Sequence, residues 1–265
     1  VVGAGCLMSH QIRVEVSDDH VATVEFERGP RNHFDAALIG GLADVFERLD
    51  ADPDARAIVL CSAGRHFCAG ADLPGALSGT EPTVEGSTGS LYEEAARLFA
   101  THTPIVAAVQ GAAVGGGLGL ALVADFRVAG PSTRFVANFS LLGLHQGFGI
   151  TVTLPAVVGS QRAQDLLYTG REVPGQEAAH IGLCDRLTAD DEVRSGAHAL
   201  AAKIAASAPL AVVAIRQTLR GDLADRVRAA TAKEQAEQIR LAATADFVEG
   251  VSATAERRQP RFTGS

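Results

Sequence analysis

Residues 64–72 read GRHFCAGAD, and residues 114–125 read VGGGLGLALVAD. Both stretches put small residues where an apolar run hands over to the next element. A backbone stripped of side chains can do one kind of chemistry. Its free N–H groups at a helix start can hold a developing negative charge. The competing explanation is packing, because glycine also lets helix and strand backbones approach closely. The titratable groups nearby are His66, Cys68, Asp72 and Asp125, with His145 further along in GLHQGFG (143–149). Asp72 and Asp125 lie at element boundaries, where a carboxylate suits a cap. Cys68 has no base paired with it in the sequence and reads as a small packing residue. His66 and Cys68 do not by themselves complete a metal site.

Other uses of glycine-rich loops are excluded by spacing. The chain has no GxxxxGK[ST], and neither GGGLGL nor GFGITV gives GxGxxG. It has no GxSxG elbow and no HExxH. Phosphate-loop, dinucleotide, serine-hydrolase and zinc-protease chemistry therefore leave the glycines unexplained.

The elements that must carry these loops follow from the hydrophobic pattern. Gln11–Val16 and Val21–Glu27 alternate around SDDH, which predicts a β-hairpin. Asp35 caps a helix with an apolar face of Leu38, Leu42, Val45 and Leu49, stopped by Asp52-Pro53. ARAIVLC (55–61) predicts a buried strand leading into GRHFCAGAD, and residues 74–90 a polar surface segment. A helix near Tyr92–Ala100 follows. IVAAVQG (105–111) is a second buried strand leading into the glycine triplet, with a short helix over 118–124 and a strand in DFRVAG. Strand, small-residue loop and helix thus occur twice, about fifty residues apart, which suggests one pocket lined by two turns. From about residue 160 the pattern is helical, with alanine-rich segments at 190–207, 210–220 and 222–256 whose apolar faces need a partner surface.

Composition narrows the classes of function. At 265 residues and 47% hydrophobic, the chain can bury a large core. Its net charge of −8, without a basic patch, argues against nucleic acid or an anionic membrane as partner. Four scattered cysteines form no CxxC pair, so a reducing cytosol is expected. The single methionine is Met8, and residues 1–8 are set apart as a cloning remnant or upstream start.

Taken together, GPRNHFDAALIGGL, ARAIVLCSAGRHFCAGADL, TPIVAAVQGAAVGGGLGLALVADFRVAG and GSQRAQDLLYTGREVPGQEAAHIGLCDRL resemble the crotonase superfamily, the enoyl-CoA hydratase/isomerase family. The resemblance spans roughly residues 11–220. It implies an α/β fold, a spiral of repeated ββα units over residues 9–205. A C-terminal helical region over 206–265 would mediate assembly into trimers or pairs of trimers. It implies acyl-CoA thioesters as substrates, no metal or redox cofactor, and CoA arriving as part of the substrate. The thioester oxygen would sit between the backbone N–H groups of Ala71 and Gly116, where an enolate forms. The nucleotide moiety would lie along Arg31, His33, Ala69, Asp72 and Leu73, with Phe139 and Gly116 against the acyl part.

The same resemblance exposes a departure. Hydratases of this kind use two glutamates, which fall at Gly119 and Phe139 here. Relatives with isomerase or thioester-hydrolase activity often carry an aspartate at the place of Gly147. None of these three residues carries a proton at neutral pH. His145 is the best remaining candidate base, against the alternative that it only bonds a loop carbonyl. A non-catalytic acyl-CoA-binding member of the family is the second reading.

Overall fold

The computed structural model describes residues 11–71 and 91–265. The expected remnant at 1–8 and the site candidates Asp72 and Leu73 lie outside the described residues.

Strands β1 (Ile12–Val16) and β2 (Val21–Phe26) form the predicted antiparallel hairpin, with Ile12 opposite Phe26. Helix α1 (Ala36–Asp50) starts at Asp35, whose carboxylate accepts the Leu38 N–H at 2.8 Å. It buries Leu38, Leu42, Val45 and Leu49 as the spacing requires. Strands β3 (Ala57–Ser62), β4 (Ile105–Val109), β6 (Phe126–Ala129) and β9 (Arg186–Leu187) extend the hairpin in parallel, in the order β1-β2-β3-β4-β6-β9. Helix α2 (Leu91–Phe99) lies between β3 and β4 in sequence. Strands β3 and β4 are buried throughout, and apolar apart from Ser62, because both faces are covered. Ile58 and Leu60 enter the main core, while Val59 and Cys61 face a second cluster beneath helix α7 (Val193–Ala205).

A smaller sheet, β5-β7-β8, joins Ala112–Val114, Arg134–Val136 and Glu172–Pro174. Helix α3 spans Gly116–Ala121, starting two residues before the predicted apolar stretch, at the triplet itself. Helix α4 (Ile150–Val158) lies where the sequence pattern predicted no helix. Helices α5 (Ser160–Thr169) and α6 (Gly175–Ile181) lead to β9. The C-terminal region comprises α8 (Pro209–Arg220), α9 (Leu223–Ala242) and α10 (Ala245–Glu256), so the expected 222–256 segment is broken at Ala243-Thr244.

This region folds back on the core. Val227 of α9 belongs to the main hydrophobic cluster. Asp125 accepts the Ile105 N–H at 2.8 Å and binds Arg216 and Arg220 of α8. The predicted cap is therefore also the tie between a core strand and the C-terminal helices. Among the described residues, no single helix is long and apolar enough to cross a membrane.

Candidate functional site

The two small-residue loops meet. The 66–68 segment lies along 110–114, with Phe67 N–H donating to Gln110 O, Cys68 N–H to Ala112 O and Val114 N–H to Cys68 O at 2.9–3.0 Å. On its other side, Ala69 N–H donates to Arg31 O and Phe34 N–H to Gly70 O, both at 3.0 Å. The AGA turn is thereby threaded between the segment before α1 and the strand before the glycine triplet. Gly70 has φ +83°, a left-handed backbone that glycine adopts freely. A Cβ on it would lie 2.8 Å from Val114 O and 3.4 Å from the Gly116 nitrogen. Ala71, the next residue, is exposed.

The triplet is glycine for several reasons. Gly115 has φ +55° and turns the chain into α3, its N–H bonded to Val136 O at 2.8 Å. A Cβ on Gly117 would lie 2.1 Å from the Cys68 carbonyl oxygen, which is backbone and cannot move aside. A Cβ on Gly116 would lie 2.4 Å from the tip of the Phe34 ring. Close packing therefore accounts for the missing side chains at 116 and 117 without any ligand. A bound oxygen remains compatible with the same geometry. The Gly116 N–H opens a helix and so has no intrahelical acceptor. Among the described residues, neither this N–H nor that of Ala71 has a hydrogen-bond partner.

Of the proposed nucleotide-side residues, Ala69 lies on this turn, and Arg31 and His33 lie on the segment beside it. His33 Nδ1 is 3.2 Å from Gly70 O, and the Arg31 side chain is exposed. His66 is held below its ordinary pKa by burial first, then by Arg65, Arg134 and Arg31. Cys68 is fully buried, and that burial pushes its thiol up to about 12, as expected of a packing residue. Among the described residues, no group of three or more histidine, cysteine or acidic side chains could hold a metal ion.

Three phenylalanines crowd the triplet. Phe139 is buried, and its ring atoms lie 3.8–3.9 Å from the point where a Cβ on Gly115 would be. The Phe34 and Phe148 rings pack with centroids 5.3 Å apart, tilted by 53°. Phe148 Cβ lies 2.7 Å from the Cβ point of Gly119, so Phe148 fills the space where the first hydratase glutamate would begin. At Gly147 the corresponding space holds the Gln238 amide nitrogen at 2.8 Å and the Tyr92 hydroxyl at 3.2 Å. Tyr92 donates to Gln238 Oε1, and Gln238 Nε2 donates to His145 O at 2.8 Å. Burial first, and then the Glu234 carboxylate, push the Tyr92 phenol up.

His145 is half-buried, with Nδ1 2.8 Å from the carbonyl of its neighbour Gln146, the loop-carbonyl bond that the sequence left open. Its ring lines a cavity of about 480 Å³ together with Phe139, Leu144, Tyr168 and Leu241. Phe139 is the residue shared between this cavity and the triplet. Sequence reasoning missed Phe34, Phe148, Tyr92, Gln238 and Glu234. The one available signal was GFG at 147–149, a bulky residue between two glycines beside a candidate acid position.

The chain is similar to known proteins along most of its length. The family model for enoyl-CoA hydratase/isomerase matches residues 17–265. A Rhodobacter capsulatus protein named probable enoyl-CoA hydratase is 35% identical over 258 residues, 96% of this chain and 98% of its own. Probable enoyl-CoA hydratase EchA14 of Mycobacterium tuberculosis is 39% identical over 204 residues, 77% of this chain and 79% of its own. The crystal structure of enoyl-CoA hydratase/isomerase from Pseudoalteromonas atlantica T6c superposes with a TM-score of 0.85 at 32% identity, covering 96% of this chain and 100% of that one. With the paired loops, the two-sheet core and the C-terminal helices all present, the chain belongs to the enoyl-CoA hydratase/isomerase family of the crotonase superfamily.

Proposed function

We propose that the protein binds an acyl-CoA thioester, holds its carbonyl oxygen between the N–H groups of Ala71 and Gly116, and stabilises the enolate formed there. The observation that carries this reading is the closure of Gly70 onto Gly116, with the Cβ point of one 3.4 Å from the nitrogen of the other. It supports the reading because Ala71 follows Gly70 directly, and neither the Ala71 N–H nor that of Gly116 has an acceptor among the described residues. Arg31, His33, Ala69, Asp72 and Leu73 would hold the nucleotide end, and Phe139 would border the acyl group. His145 is the proposed base. Neither usual hydratase glutamate is present, so enolate chemistry is the core of the assignment and hydration is not. The exposed apolar side chains Leu210, Ile215 and Leu219 on α8 would be covered by other copies of the chain in a trimer or hexamer.

A second reading, acyl-CoA binding without turnover, is favoured by one observation. Phe148 at position 119 and Gln238 with Tyr92 at position 147 fill two of the places where relatives hold an acid. The two readings separate in deuterium oxide. Wild-type protein with butyryl-CoA should exchange the α-protons, and His145→Ala should slow that exchange by roughly a hundredfold or more. Tight binding without exchange would leave only the binding reading. Exchange unchanged in His145→Ala would remove His145 as the base. Absence of acyl-CoA binding would end both.

A further inference from the structure

Phe148 has an unusual backbone. Its φ is +62°, a left-handed conformation that is disfavoured for a residue with a Cβ. It lies between Gly147 and Gly149, and Gly149 is itself left-handed at φ +74°. The loop is pinned from outside by Glu234, a buried carboxylate of α9 that accepts the N–H groups of Gly149 and Thr151 at 2.8 and 3.0 Å. Strain retained in a buried, over-determined segment often has a functional purpose. Here it aims one ring. Phe148 is 3% exposed, packs on Phe34, and occupies the space over Gly119. Phe34 in turn reaches the triplet at Gly116.

The geometry points to Phe34 and Phe148 as a specificity wall that admits acyl groups unbranched at the α-carbon and rejects branched ones. The inference rests on the thioester reading above. An oxygen held ~3 Å from the Gly116 N–H would put the α-carbon, one bond from the carbonyl carbon, beside the residues that pack on Gly116 and Gly119, which are these two rings. An α-methyl group there has to displace a ring held by its own backbone and by its partner. A flat or linear acyl group can lie along the ring faces. The wall is rigid because both rings are buried and in contact, so a branch is not accommodated by rotation of an exposed side chain.

The test compares the affinity of the full-length protein for butyryl-CoA and isobutyryl-CoA, which differ only in placing a methyl branch at the α-carbon. Wild type should prefer the linear thioester by on the order of tenfold or more, the usual worth of one misplaced methyl in an apolar pocket. Phe148→Ala should remove most of that preference by strengthening isobutyryl-CoA. Phe148→Leu, which keeps more of the packing, should fall between and serves if the alanine variant does not fold. Equal affinities in wild type, or a preference unchanged in the folded variants, overturn the wall. Failure of wild type to bind either thioester would instead sink the acyl-CoA reading, and the wall with it.

Discussion

A side chain on residue 119 and the side chain of Phe148 cannot occupy the same space, because the Cβ point of Gly119 lies 2.7 Å from Phe148 Cβ. Restoring a glutamate at 119 is therefore not a single-site change. Gly119→Glu alone should destabilise the protein by about 1–3 kcal/mol, the usual penalty of overpacking, and should not add water to crotonyl-CoA. Gly119→Glu with Phe148→Gly relieves both the overlap and the left-handed strain. It should lose less stability in thermal unfolding than the two single changes summed. A non-additive cycle between the two sites is the expected signature, and simple additivity would disprove the overlap.

The last two glycines of the triplet should respond differently to alanine. Gly117→Ala drives a methyl into the Cys68 carbonyl, 2.1 Å away, and should cost about 3 kcal/mol, the upper end of overpacking. Gly116→Ala meets the buried Phe34 ring, a side chain instead of backbone, and should cost less, about 1–2 kcal/mol. Its effect should appear in acyl-CoA affinity as well, because the displaced ring borders the proposed oxygen site. Calorimetric unfolding together with thioester titration separates the two outcomes.

Asp125 is the counter-ion of two arginines, which otherwise donate to backbone carbonyls, Arg216 to Thr101 O and Arg220 to Val123 O. Arg216 and Arg220 are 7% and 15% exposed at the side chain, and Asp125 is 17% exposed. Burial first draws the Arg220 guanidinium down to about 10. Asp125→Ala leaves both cations in place without their counter-ion and should cost about 3–5 kcal/mol. Arg216→Met with Arg220→Met in the Asp125→Asn background should recover much of that loss. Limited proteolysis should show α8 detaching from β4 in the single variant and staying bound in the triple one.

The described thiols should be inert in the folded protein. Burial pushes Cys61 up to about 11 and Cys68 up to about 12. At pH 8 almost none of either is thiolate, the form that reacts. Iodoacetamide should label them only after unfolding, read residue by residue by mass spectrometry. Rapid native labelling of Cys68 would show that the AGA turn opens readily.

The C-terminal tail should loosen in acid. Glu249 accepts hydrogen bonds from the Arg258 guanidinium and the Arg261 N–H, which lower its pKa from 4.5 to about 2. A carboxylate depressed by folding stabilises above its unfolded pKa, and that stability is lost as pH falls through the folded value. Protection of the Arg261 amide from exchange should therefore be complete above about pH 4.5 and fade toward pH 2. Glu249→Gln should remove this acid transition.

Much of the fold was legible because it rests on local periodicity. The hairpin around residues 17–20, the Asp35 cap and the face of α1 follow from spacing of two and of three to four residues. Helix α4 was not legible. ITVTLPAVV is rich in β-branched residues and contains Pro155, and local propensity argues against a helix. Its start is secured by Glu234, eighty-five residues further along the chain, which satisfies the N–H groups of Gly149 and Thr151. A cap donated from another helix leaves no local trace.

The candidate site divides in the same way. Which residues lack side chains, and which acid positions are empty, is written in GRHFCAGAD, VGGGLGL and Gly147. Those identities by themselves determined the family and the doubt over hydration, because chemistry at an atom depends first on which groups exist. What fills the spaces thus emptied was decided only by the tertiary structure. Phe34, Phe148, Tyr92 and Gln238 come from four separate segments, and packing in three dimensions brings them to the glycines. Close approach between distant segments depends on the whole fold at once, and no spacing along the chain encodes it.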